Sequence, residues 1–154
     1  GLVCHPNVLI ADEPTTAIDV TVQAQVRNLI NELKTEFGMS VLLITHDLGV
    51  VAETCDRVAI MYASHIVECA PVHEIFHAPR HPYTAGLLAS IPASHRPKER
   101  LTIIPGQVPR PTHYPAGCNF QFRCDHAVEH CVLHQPSLSR VADGHAVSCW
   151  NPVS

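Results

Sequence analysis

Val8-Leu9-Ile10-Ala11-Asp12-Glu13-Pro14 is the stretch on which the fold reading turns. Four apolar residues follow the breaker His5-Pro6-Asn7 and stop at two acids and a proline. An unbroken apolar run this short predicts a strand buried on both faces, as in a parallel sheet. Working outward, Val22, Val26, Leu29, Ile30, Leu33 and Phe37 have the spacing of an amphipathic helix. Asp19 is placed to cap its start and Gly38 to end it. Val41-Leu42-Leu43-Ile44 repeats the first pattern and ends at Thr45-His46-Asp47. Strand, helix and strand of these lengths make a βαβ unit with a right-handed crossover. A short helix over Leu48–Thr54 follows, then strands Arg57–Tyr62 and His65–Glu68 joined by a tight turn.

Composition supports an ordered α/β chain and narrows its partners. The 154 residues are 46% hydrophobic and 16% charged, which is enough apolar material for a core. A net charge of −4 argues against general polyanion binding, so no nucleic-acid partner is expected. No run approaches the roughly 18 apolar residues of a membrane span. There is no basic region followed by an apolar one at the start, hence no visible signal peptide, and Gly1 in place of Met points to a piece of a longer protein. The halves differ. Residues 1–80 hold 4 Lys/Arg against 10 Asp/Glu, whereas residues 81–154 hold 6 against 4, with 9 of the 13 prolines and 4 of the 7 cysteines. A regular α/β segment, 1–80, is therefore expected before a loop-rich segment, 81–154, that needs a staple besides a core.

Ligands of open parallel sheets bind outside the carboxyl ends of the strands. Both predicted buried strands end there in titratable residues, Asp12-Glu13 and His46-Asp47. Apolar residues followed by adjacent acids form the Walker B pattern of nucleotide hydrolases. The first acid can hold Mg²⁺ directly or through water. The second can take a proton from attacking water. A neutral histidine on the neighbouring strand can donate to the terminal phosphate. Taken singly, Asp12-Glu13 reads as a solvated strand end and Asp47 as a helix cap; their order and context make the stronger case.

The run from Val8 to Val20 resembles the Walker B segment and D-loop of ABC-transporter ATPases, and Thr45-His46-Asp47-Leu48 resembles their H-loop. Arg80-His81-Pro82-Tyr83-Thr84, with Leu87-Leu88 and Ile91-Pro92, resembles the C-terminal extension of the dipeptide/oligopeptide importer subfamily. The resemblance implies the C-terminal half of a RecA-like P-loop ATPase domain with a parallel sheet over 1–80, and an irregular, cysteine-containing extension over 81–154. It implies that Asp12 supports Mg²⁺, Glu13 is the catalytic base, His46 the switch histidine and Asp19 the D-loop aspartate that reaches across a dimer interface. Gln23 and Gln25 read as helix surface. The phosphate-cradling G-x-x-x-x-G-K-[ST] loop, the Q-loop and the Leu-Ser-Gly-Gly signature do not occur in these residues. This stretch alone is accordingly expected neither to bind ATP tightly nor to hydrolyse it, and to leave apolar surface open. The family usually has glycine near Ser64 and Ala70, so strain or another turn type is expected after the Arg57–Tyr62 strand.

Cys118, Cys124, Cys131 and Cys149 are separated by five, six and seventeen residues. Two disulfides fit poorly with a cytosolic ATPase, and the paired knuckles of structural zinc sites are missing. Four thiolates on proline-rich loops suit an iron–sulfur cluster. The resemblance implies [4Fe–4S], with Zn²⁺ as the alternative, in a structural role. Cys4, Cys55 and Cys69 read as core residues, Trp150 as a shield for the four cysteines, and Pro82 as the first residue of a short docking helix. His126, His130 and His134 would share one face if that stretch were helical.

The function implied by the resemblance is ATP binding and hydrolysis that powers uptake of dipeptides or oligopeptides. Its partners would be a second ABC ATPase subunit, transmembrane permease subunits and, indirectly, a periplasmic or extracellular peptide-binding protein. Its place would be the cytoplasmic face of the bacterial inner membrane, held peripherally. The alternatives are a truncated, non-catalytic iron–sulfur or zinc module, and a soluble ABC ATPase of DNA repair or translation, against which the His-Pro-Tyr extension speaks.

Overall fold

The computed structural model describes residues 6–14, 20–91 and 103–153, and divides the chain into two compact units, Gly1–Cys55 and Asp56–Ser154. The change in composition at Arg80 therefore falls inside the second unit. Gly1–Cys4 and Asp19 lie outside the described residues, as do the side chains of Gln23, Val22 and Val26.

In the first unit β1 (Val8–Asp12) and β2 (Ser40–Ile44) pair in parallel, Val8 opposite Ser40 through Asp12 opposite Ile44. They are joined by α1 (Val20–Phe37), and Gly38 after it takes φ +60°, the left-handed conformation that glycine adopts without a Cβ penalty. The crossover is the expected βαβ unit. Burial on both faces is not what is found. Val8, Ile10, Leu42 and Ile44 are all roughly half exposed, so the face they share is open, while Leu9, Val41 and Leu43 on the other face are partly covered. Leu29 and Phe37 of α1 are likewise exposed, whereas Ile30 and Met39 are buried. The parallel sheet has two strands among the described residues. α2 (Leu48–Thr54) begins at Asp47, whose carboxylate accepts the N–H groups of Gly49 and Val50 at 2.8 and 3.2 Å. Asp47 thus caps the helix, satisfying donors that no helical carbonyl can reach.

The second unit is built on an antiparallel sheet of order β3-β4-β6-β5. β3 (Arg57–Tyr62) and β4 (His65–Pro71) form a hairpin with Tyr62 opposite His65, leaving a two-residue turn. Ala63 and Ser64 take φ +45° and +66° there. That is the pattern of a type I′ turn, whose twist follows that of the strands and in which glycine or asparagine is the usual choice. Here the strain is held from outside: Tyr114 and Ser64 share a hydroxyl–hydroxyl bond at 2.8 Å, and the Asn119 amide donates to the Ala63 carbonyl at 3.0 Å. α3 (Val72–His77) and α4 (Pro82–Ala89) follow, the latter with Pro82 in its first turn. A 3-10 turn, Gln121–Arg123, α5 (Glu129–Leu133), β5 (Ser139–Ala142) and β6 (His145–Val147) complete the unit. α5 is too short to hold His126, and His134 caps its end, so the three histidines do not line one helix. Cys55 and Cys69 are only partly buried, not core.

Candidate functional site

The parallel register of β1 and β2 brings their carboxyl ends side by side. The ladder runs one step past Asp12, where the Glu13 N–H donates to the Ile44 carbonyl at 2.8 Å. Glu13 stands at φ +43°, immediately before Pro14. A left-handed glutamate before proline is held against its preference, and such strain gathers at functional positions. Its carboxylate lies 3.1 Å from Nδ1 of His46. A carboxylate can only accept, so the ring donates through Nδ1; in its neutral form Nε2 is then an acceptor. The neutral ring can serve Glu13 through that nitrogen or an anion through Nε2, but not both. Asp12 is exposed at the strand end on the open face. Glu13 and His46 are thus brought together, and Asp12 stands next to Glu13 at the end of β1.

The second constellation lies in the second unit. The Cys118 N–H donates to the Cys131 carbonyl at 2.7 Å, tying the segment before the 3-10 turn to α5. Burial pushes the Cys118, Cys124 and Cys149 thiols up, Cys149 to about 11. Opposing it, nearby backbone N–H groups lower them: those of Phe120 and Gln121 for Cys118, His126 for Cys124 and Asn151 for Cys149. The neighbouring cysteines raise these thiols further, and all four enter that mutual repulsion. Without a cation the thiols hold their protons near neutrality and are poor nucleophiles. With one, the nearby N–H groups favour the thiolates, and binding releases protons. Among the described residues, however, no group of three or more His, Cys, Asp or Glu side chains forms a site for a single metal ion. Trp150, expected as a shield, is 43% exposed; its indole N–H donates to the His134 carbonyl and its ring lies against His130.

The His-Pro-Tyr segment is fixed by a residue that did not stand out in the sequence. Glu68 on β4 is fully buried. Its carboxylate accepts the backbone N–H of Arg80 at 2.6 Å, that of His81 at 3.0 Å and Nε2–H of His145 on β6 at 2.7 Å. The only hint in the sequence was an acid in an otherwise apolar stretch of strand. His81 is itself buried and caps α4, its Nδ1 accepting the Tyr83 N–H at 3.0 Å. Burial lowers its pKa to about 4, against the opposing pull of Glu68. The unfolded chain therefore takes up a proton here below about pH 6.5 while the fold does not. Stability of this unit is expected to fall by up to about 3 kcal/mol as pH drops from 7 toward 4. Urea unfolding across that range checks it. His81→Asn, which keeps a capping acceptor and cannot titrate, should flatten that part of the dependence; an unchanged pH profile in the variant would refute the assignment.

Residues 67–131, from β4 through Cys131, match the family described as oligopeptide/dipeptide transporter, C-terminal region. A putative peptide import ATP-binding protein of Brucella ovis is 49% identical over all of this chain and 48% of its own length. The oligopeptide transport ATP-binding protein AppD of Bacillus subtilis is 51% identical over 97% of this chain and 46% of its own. The dipeptide transport ATP-binding protein DppD of Escherichia coli is 47% identical over 99% and 47%. The chain spans about half the length of the curated relatives it matches.

Proposed function

We propose, on the premise that this chain is related over its whole length to peptide-import ATP-binding proteins and carries the C-terminal region of oligopeptide/dipeptide transporters, that it is the distal part of an ABC-importer ATPase subunit. The observation that carries the reading is the Glu13–His46 pair at adjoining parallel strand ends, inside a sequence that matches such proteins throughout. ATP, when bound, supplies the free energy for transport. Asp12 would hold Mg²⁺. Glu13 accepts a proton from attacking water. His46 orients Glu13 through Nδ1 and is released from it to meet a phosphate oxygen. Asp19 reaches a second ATPase subunit, and residues 1–80 form part of a RecA-like sheet whose further strands extend β1 and β2 at their edges and whose helices cover their open face. The subunit works at the cytoplasmic face of the inner membrane with permease subunits, supplied by a peptide-binding protein. No helix among the described residues is long and apolar enough to cross a membrane. Interrupting the gene is expected to abolish accumulation of a labelled di- or oligopeptide; accumulation at the parental rate would overturn the proposal.

For residues 81–154 the reading is a structural extension stapled by Cys118, Cys124, Cys131 and Cys149. The shared burial of the four cysteines and the N–H groups close to Cys118, Cys124 and Cys149 support reading them as ligands of a metal centre, a [4Fe–4S] cluster with Zn²⁺ as the alternative.

A further inference from the structure

We propose that Gly117 is the positioning residue of the four-cysteine site, setting how far Cys118 stands from Cys131. The inference rests on the reading of those cysteines as a metal centre. Gly117 is buried, and a Cβ built on it would meet the Cys131 carbonyl oxygen at 2.2 Å and the Val132 carbonyl carbon and oxygen at 2.6 Å. Those are backbone atoms of α5, so no side-chain rotation relieves the overlap. The missing side chain is what lets the segment run flush against α5, close enough for the Cys118 N–H to reach the Cys131 carbonyl. One residue on, the Asn119 N–H donates to the Gln135 side-chain oxygen at 3.2 Å, and the Asn119 amide holds the Ala63 carbonyl. Segment 117–119 is thereby pinned from both sides, and the Cys118 sulfur is delivered to a fixed place relative to the Cys131 thiol. The conformation at Gly117 needs no positive φ. Its glycine answers to close approach alone, which sets it apart from Gly144, whose φ of +66° answers to a turn between β5 and β6.

The test uses the full chain, purified anaerobically and offered ferrous iron with sulfide, or Zn²⁺ alone in a parallel sample. The parent protein is expected to take up iron and sulfide in equal amounts. Gly117→Ala is expected to weaken iron retention roughly 10–100-fold, the usual range for groups that orient metal ligands, and to shift the visible absorption of what remains. It should also speed alkylation of Cys118 in the metal-free protein, as the thiol leaves its buried place. Gln135→Ala loosens the same segment without adding an atom and should weaken retention in the same direction, so the proposal stays open to refutation even if Gly117→Ala folds poorly. Gly144→Ala serves as the control for a merely destabilised unit. Equal iron loss in Gly144→Ala and Gly117→Ala, or parental retention in both Gly117→Ala and Gln135→Ala, overturns the positioning role. Failure of the parent to bind either iron–sulfide or zinc overturns the metal-centre reading itself, while Cys118 alkylation still reports whether Gly117 places that thiol.

Discussion

On the proposed function, Glu13→Gln is expected to slow ATP turnover by the assembled importer roughly 10²–10⁴-fold, the loss typical of removing a positioned general base. Glutamine keeps the shape and one acceptor oxygen, so the bond from His46 Nδ1 at 3.1 Å can persist while the capacity to take a proton is gone. Nucleotide affinity should change little, because Asp12 rather than Glu13 is assigned to the metal. Paired measurements of steady-state phosphate release and nucleotide binding separate the two. Turnover near the parental value would remove Glu13 from catalysis and leave its φ of +43° as a local accommodation to Pro14.

Glu68→Ala is expected to cost the second unit about 3–5 kcal/mol, because it strands three buried donors at roughly 1–3 kcal/mol each. The size follows from what is stranded: the Arg80 and His81 N–H groups and the His145 ring, each losing its acceptor at 2.6 to 3.0 Å inside the protein. The chain has a single tryptophan, Trp150, so fluorescence during urea unfolding reports this unit. Glu68→Gln should also destabilise, since its NH₂ would turn a donor toward donors. A midpoint shift worth under about 1 kcal/mol for alanine, no more than an ordinary net hydrogen bond, would show that water takes the place of the carboxylate.

How much of this was legible follows from range. The βαβ start, the cap at Asp47, the helix from Pro82 and the hairpin after Arg57 are local patterns, and local sequence specified them. The Asp-Glu and Thr-His-Asp strand ends were legible as a pair because parallel pairing needs only that both runs be strands. The Glu68 site was not, because its partners lie 12, 13 and 77 residues away and nothing about one acid in a strand announces full burial. Burial of β1 and β2 was overcalled for the same reason: an apolar run records what a face is suited to, not what covers it, and Val8, Ile10, Leu42 and Ile44 stand open. Gly117 was silent too, since its meaning lies in the backbone of a helix fourteen residues on.

The bond between Glu68 and His145 has a temporal side. Ribosomes deliver β4 long before β6, so the carboxylate waits in water until the chain 77 residues downstream arrives. Such distant closure raises contact order and slows the search. The second unit is therefore a late folder, completed only as the last strand emerges, and its hairpin spends synthesis as an unfinished edge that must avoid other strands.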